Sequence, residues 1–241
     1  MSKRLKLIGI SVVALIAIAS VGFYAWTRMA SYPAFPEAVA LAEQAQSERG
    51  WYVFEPDGEP SAGFIFYPGG LVDPAAYAPL MQRLSDGGVL AIIVPMPLEL
   101  AVFGQGRASD VIEAYPAVGT WVIGGHSLGG AMAAEYLKAH PEQIDGVAFL
   151  ASYPADSTDL SSLSAKVVSI YGTEDGVAGE VFKQSLSRLP DGTALEAIDG
   201  GNHAQFGNYG PQKGDGVATV SRDEQQRLTA DAILKLVKAL E

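Results

Sequence analysis

Apolar and polar positions along the chain fall into two regimes. From Leu7 to Trp26 twenty residues pass without a charge, behind Lys3, Arg4 and Lys6. At 1.5 Å per residue they make about 30 Å of helix, the thickness of a bilayer's hydrocarbon core. Phe23, Tyr24 and Trp26 at its far end suit a membrane interface. A basic flank stays in the cytoplasm, so the pattern predicts a transmembrane signal anchor over 7–26, residues 1–6 cytoplasmic, and everything after Arg28 extracytoplasmic. The alternative is a signal peptide cleaved near Ala17-Ile18-Ala19, behind the ten-residue apolar core Leu7 to Ile16, which gives a secreted protein. Either way the rest of the chain is exported.

Beyond the span, strand-like and helix-like segments alternate. A linker with Pro33 and Pro36 leads into a short Ala-rich helix, Glu37 to Glu48; residues 27–44 read as linker and helix, and residues 45–241 as one domain. Apolar, β-branched and aromatic runs predict strands at Trp51 to Glu55, Gly63 to Tyr67, Val89 to Pro95, Thr120 to Gly124, Val147 to Ala151, Lys166 to Tyr171 and Thr193 to Ile198. Helices are expected from Asp73-Pro74 to about Ser85, where an N-cap precedes a proline, and at Gln105 to Tyr115, Leu128 to near His140, Gly179 to Arg188 and Arg222 to Leu240. Continuous apolar strands alternating with such helices predict a parallel sheet covered on both faces, a three-layer α/β architecture.

Composition narrows the chemistry. The chain has no cysteine, which removes disulfides, a thiolate nucleophile and cysteine-ligated metal. Its formal charge is −11; setting aside Lys3, Arg4 and Lys6 leaves 13 basic residues against 27 acidic ones, or −14 for the exported part. That balance argues against nucleic acid and anionic membrane surfaces as partners.

Candidate chemistry concentrates between Thr120 and Tyr136. A β-branched and aromatic run stops there at a glycine pair, and good helix formers begin just after Ser127, so strand, sharp turn and helix follow directly. Gly125-His126-Ser127-Leu128-Gly129 in the turn is the GxSxG pattern of a nucleophile elbow, where a strained serine lifts its Oγ above the sheet. Reactive groups of parallel sheets gather at the carboxyl ends of the strands, where the base and acid are to be sought. Of three histidines, His126 lies inside the elbow pointing elsewhere, and His140 suits a helix C-terminus. His203, in the glycine-flanked loop Asp199-Gly200-Gly201-Asn202-His203, is the candidate general base. Tyr171-Gly172-Thr173-Glu174-Asp175-Gly176 leaves another strand with two carboxylates; Asp175 is the candidate acid, with Glu174 and Asp199 as alternatives.

Ser127, Asp175 and His203 follow the Ser, acid, His chain order of α/β-hydrolases. Four stretches carry a closer likeness: Phe66-Tyr67-Pro68-Gly69-Gly70-Leu71-Val72-Asp73-Pro74, Gly124 to Gly130, Tyr171 to Gly176, and Gly201-Asn202-His203-Ala204-Gln205-Phe206-Gly207-Asn208-Tyr209-Gly210. On these the chain resembles the alpha/beta hydrolase fold-5 family over about Trp51 to Leu240. The resemblance implies an α/β-hydrolase fold with a mostly parallel sheet, Ser127 as nucleophile, Asp175 as acid and His203 as base. It departs from dienelactone hydrolases of similar size, which use cysteine.

Those residues imply acyl transfer to Ser127 and hydrolysis of the acyl-serine, with no metal or organic cofactor. The oxyanion then needs backbone N–H donors, one at Leu128 and the other at Gly70 or Leu71, where Gly69-Gly70 allows close approach. Only Ser152 to Ala165 is available for a cap, so a minimal cap and an open site are expected, suited to a small-molecule ester, an activated acyl group or an exposed end of a larger molecule. The long stretch His203 to Val220, with Phe206, Tyr209 and Lys213, reads as a wall of the site or as a packed surface loop. An acyltransferase or peptidase with the same triad, and a catalytically silent binding module, are the alternatives.

Overall fold

Each predicted apolar run becomes a strand of one seven-stranded sheet, in a computed structural model that describes residues 3–45 and 49–240. The strands are β1 (Tyr52–Phe54), β2 (Ala62–Tyr67), β3 (Val89–Ile93), β4 (Trp121–His126), β5 (Gly146–Leu150), β6 (Lys166–Gly172) and β7 (Ala194–Ile198). Their spatial order is β1-β3-β2-β4-β5-β6-β7; β1 runs antiparallel to β3 and every other pairing is parallel. β2 to β5 are buried along their whole length, which is why they read as unbroken apolar runs.

Alternate side chains divide between two cores, as the two-residue period of a strand requires. On one face Phe64, Phe66, Ala91, Ile93, Val122 and Leu150 pack with α2 (Pro36–Gln44), α3 (Ala78–Asp86) and α7 (Arg222–Lys238). On the other, Ile65, Ile92, Ile123, Val147 and Phe149 pack with α4 (Ala108–Ala114) and α5 (Leu128–Ala139). This is the three-layer fold, and the connection 152–165 carries no helix, so the cap is minimal.

Local differences from the sequence reading have local causes. The helix expected from Asp73 begins as a 3₁₀ turn, Pro74–Tyr77, with the Asp73 carboxylate accepting the Ala75 N–H. The one expected from Gln105 likewise starts as 3₁₀ and becomes α4 at Ala108. β4 runs to His126 rather than Gly124, because Gly125 and His126 still pair with Phe149 and Leu150 of β5. α2 ends at Gln44; the expected continuation over 46–48 lies outside the described residues. α6 (Gly179–Ser185) is followed by a 3₁₀ turn, Leu186–Arg188.

The first helix, α1 (Lys3–Ala30), extends past Trp26. Its stretch Gly9–Ala30 has a mean hydropathy of 2.0 over the most apolar window, none of it buried, which is the length and composition of a membrane anchor or a signal sequence.

The sheet and α5 approach most closely where Gly129 meets β2: a Cβ on Gly129 would lie 2.0 Å from the Tyr67 carbonyl oxygen and 2.4 Å from that of Pro68. Backbone cannot move aside as a side chain tip can. Gly129→Ala should therefore destabilise the fold by about 3 kcal/mol, lowering Tm by roughly 6–12 °C. Thermal unfolding followed by circular dichroism checks this.

Candidate active site

Ser127 stands between the last residue of β4 and the first of α5 with φ 51° and ψ −120°, a backbone conformation that non-glycine residues rarely adopt. Its surroundings hold it there. The Ser127 N–H donates to the Leu150 carbonyl at 3.0 Å, while the Ser127 carbonyl accepts from the N–H groups of Gly130 and Ala131 and from Ser152 Oγ at 2.6 Å. A Cβ on Gly125 would come within 2.5 Å of the Gly129 backbone. The turn can thus close only with glycine two residues either side of the serine, as the motif predicts.

Asp175 and His203 leave the carboxyl ends of β6 and β7. Asp175 Oδ1 accepts the N–H groups of Val177 and Ala178 at 2.8 and 2.9 Å, and Oδ2 lies 2.9 Å from His203 Nδ1. The pair is shielded, the side chains being 4% and 1% exposed. Burial pushes the Asp175 carboxyl up, but the hydrogen bond and charge of His203 and the two N–H donors outweigh it and hold the group below the usual carboxylate range. An ionised carboxylate only accepts, so His203 Nδ1 supplies the hydrogen of this bond. His203 Nε2 is buried and has no hydrogen-bond partner among the described residues. Ser127 and His203 line one cavity of about 260 Å³ with Leu128, Ala131, Tyr153 and Val177. A larger cavity, about 520 Å³, lies at the amino-terminal ends of β6 and β7, away from all three residues.

The alternatives stand apart. Glu174 is exposed and donates its backbone N–H to the Gly201 carbonyl, while Asp199 is exposed and meets Thr173 Oγ1 at 3.5 Å. His140 caps the C-terminus of α5, its ring against Tyr136, as expected.

Two features were not read from the sequence. Asp215, in the glycine-flanked run Lys213-Gly214-Asp215-Gly216, accepts the backbone N–H groups of His203 (3.0 Å), Ala204 (2.8 Å) and Gly216 (2.8 Å) and so fixes the histidine loop. Its only sequence signal is that of an ordinary turn. His126 is fully buried and its ring lies 4.5 Å, centroid to centroid, from that of His203. Gly69 N–H donates to Tyr77 Oη at 3.0 Å, and Tyr77 Oη and His126 Nδ1 share a hydrogen bond of 2.9 Å. Burial pushes His126 well below its usual value and the neighbouring His203 adds to this, so His126 is neutral and gives His203 an uncharged face to pack on. Phe206 and Tyr209 are fully buried behind His126 and do not line the cavity, so the loop after His203 is packed rather than a wall of the site.

The oxyanion reading is corrected at one residue. Leu71 N–H donates to the Glu99 carbonyl at 2.8 Å and is not free for a substrate oxygen. Gly70 and Leu128 remain, side by side: a Cβ on Gly70 would lie 3.0 Å from Leu128 Cδ2. Leu128 is the first residue of α5, where backbone N–H groups have no partner within the helix. Among the described residues no group of three or more His, Asp or Glu side chains is spaced to hold a metal ion.

A family model described as the alpha/beta hydrolase family matches residues 63–227. The chain belongs to the alpha/beta hydrolase family. No curated protein sequence matches this hydrolase. Solved structures share its fold. A predicted CIB-like hydrolase from Thermoplasma acidophilum is 19% identical with a TM-score of 0.54, covering 79% of this chain and 96% of its own. A thermophilic esterase, Est2, from Thermogutta terrifontis is 15% identical (TM-score 0.53; 77% and 86% covered). A monoglyceride lipase from Saccharomyces cerevisiae is 11% identical (TM-score 0.59; 79% and 91% covered).

The buried neutral His126 sets a pH dependence. A histidine whose pKa falls on folding contributes stability above its unfolded value, about 6.5, and loses it as pH drops below, by about 1.4 kcal/mol per unit for one proton. Urea unfolding at pH 7.5, 6.5 and 5.5 should show this slope in the wild type, and His126→Gln should lack that one-proton component.

Proposed function

We propose that this alpha/beta hydrolase is a serine esterase, cleaving carboxylic esters with small or exposed acyl groups through an acyl-enzyme. The observation that carries the reading is Ser127, strained at φ 51° on the elbow, sharing its cavity with a His203 whose Nδ1 is bonded to Asp175 and whose Nε2 is unpartnered. Ser127 Oγ attacks the ester carbonyl and His203 Nε2 takes its proton; Asp175 keeps the ring in that tautomer and stabilises its charged form. The tetrahedral oxyanion is received by the N–H groups of Leu128 and Gly70. His203 returns the proton to the leaving alcohol, then activates the water that frees the acid. The esterases and lipase among the structural relatives support an ester over other acyl compounds. On the same reading, α1 is an uncleaved anchor that holds the catalytic domain outside the cytoplasm, supported by its free apolar surface and the Lys3, Arg4, Lys6 flank.

Hydrolysis of p-nitrophenyl esters, acetate to decanoate, tests the chemistry. Ser127→Ala and His203→Ala should each abolish labelling by a fluorophosphonate probe or reduce turnover to background. Asp175→Asn should keep the fold and lower kcat by about 10³ to 10⁴ through the wrong imidazole tautomer. Full turnover in Ser127→Ala would falsify the mechanism, and acyl transfer to added alcohols or amines in preference to water would make the enzyme a transferase.

A further inference from the structure

The C-terminal end of α1 is built into the catalytic face of the sheet. Thr27 of α1 is buried, and Arg28 Nη1 and Ser31 Oγ both reach the Glu99 carboxylate, at 2.8 and 2.5 Å. Glu99 in turn accepts the Leu71 N–H on its backbone carbonyl, and Tyr32 exchanges backbone bonds with the same turn, donating to the Leu71 carbonyl and accepting from the Asp73 N–H. Leu71, Leu98 and Glu99 all hold positive φ, between 56° and 57°, at this junction. Such strain persists only where the surroundings over-determine it. The anchor is therefore joined to the turn that carries Gly70.

The contact also goes deeper along α1. Phe103 packs edge-on against Phe23, ring centroids 6.4 Å apart, and Phe23 stacks on Trp26. Phe23 lies within the apolar span, five residues and about 7.5 Å of helix before Arg28. A domain residue that touches the span must sit at the depth of its aromatic belt. Outside α1, five large apolar side chains are 40% or more exposed among the described residues: Val102, Phe103, Val177, Leu195 and Val217. Four of them lie on loops at the carboxyl ends of the strands. Val177 lines the cavity, and Val217 follows Gly216, which packs against the Glu174 backbone.

We infer that this face rests on the bilayer, with Val102 and Phe103 inserted in the interface, and that the substrates are acyl esters resident in the membrane. The inference rests on the esterase reading above for its chemistry, and on the α1 junction for its geometry. A cavity of about 260 Å³ is smaller than the roughly 300–1,000 Å³ of sites that engulf a drug-sized ligand. It holds the ester and its near atoms while a long acyl chain stays in the lipid, which removes the cost of extracting that chain into water.

The test uses the full chain in phosphatidylcholine vesicles. Because the protein has no cysteine, Phe103→Cys and Asp191→Cys each accept a single environment-sensitive fluorophore; Asp191 is exposed at the opposite end of the sheet. The label at 103 should be quenched by a lipid-borne spin label and the label at 191 should not. In parallel, the rate on a fluorogenic long-chain ester dissolved in the bilayer is divided by the rate on soluble p-nitrophenyl acetate; Phe103→Asp should lower that ratio about tenfold. Absence of quenching at 103 overturns the placement of the face. Quenching with an unchanged ratio overturns the membrane-resident substrate. Quenching at 103 with no turnover of either ester by the wild type overturns the esterase reading while the placement stands.

Discussion

The structure depends on how closely α5 can approach the sheet at the end of β4. Gly129 lies against the carbonyls of Tyr67 and Pro68, and Gly125 against the Gly129 backbone, with no room for a Cβ at either position. That approach forces the chain to reverse within one residue, and Ser127 absorbs the reversal at φ 51°. Strain of this kind costs on the order of 1–3 kcal/mol and is maintained by the bonds to Leu150, Gly130, Ala131 and Ser152 around it. One packing constraint thus fixes both the helix and the exposure of the serine.

From the elbow, a connected set of buried polar groups reaches the other loops. Gly69 N–H, Tyr77 Oη and His126 Nδ1 form one chain of hydrogen bonds, and the His126 ring backs His203. His203 is held at its other side by Asp175 and at its backbone by Asp215. Because His126 is kept neutral by burial, it sets no cation against the His203 ring. The turn after β2, the elbow and the loops after β6 and β7 are therefore positioned by one another, and none of these side chains needs a cap domain to order it.

The N-terminal helix enters the same arrangement through Glu99. Its carboxylate is shared by Arg28 and Ser31 while its backbone carbonyl orders Leu71. An exposed Arg–carboxylate pair contributes little stability by itself. Its consequence here is geometric: it fixes the direction in which α1 leaves the domain, and that direction is from the face at the carboxyl ends of the strands.

Much of this could be read from residues alone. The apolar runs of β2 to β5 were legible because both faces are buried, and GxSxG was legible because steric exclusion of a Cβ leaves a glycine signature in the sequence. Asp175 and His203 followed from the rule that reactive groups sit at strand carboxyl ends, together with the scarcity of histidines. The charge-free run Leu7 to Trp26 after Lys3, Arg4 and Lys6 was legible as one long apolar helix, by its length and composition. Other features depend on side chains meeting across long sequence distances, which no local pattern encodes. Asp215 looks like any turn aspartate until the loop folds back on His203 twelve residues earlier. His126 gains its role from Tyr77, 49 residues away, and Leu71 loses its N–H to Glu99 through a contact between two separate loops. The sequence by itself determined the layers, the elbow and the catalytic candidates, since each follows from local sterics and periodicity. Only the tertiary structure decided which backbone N–H groups stay free, what backs the histidine and where α1 joins the domain, since each is a matter of which distant groups come into contact.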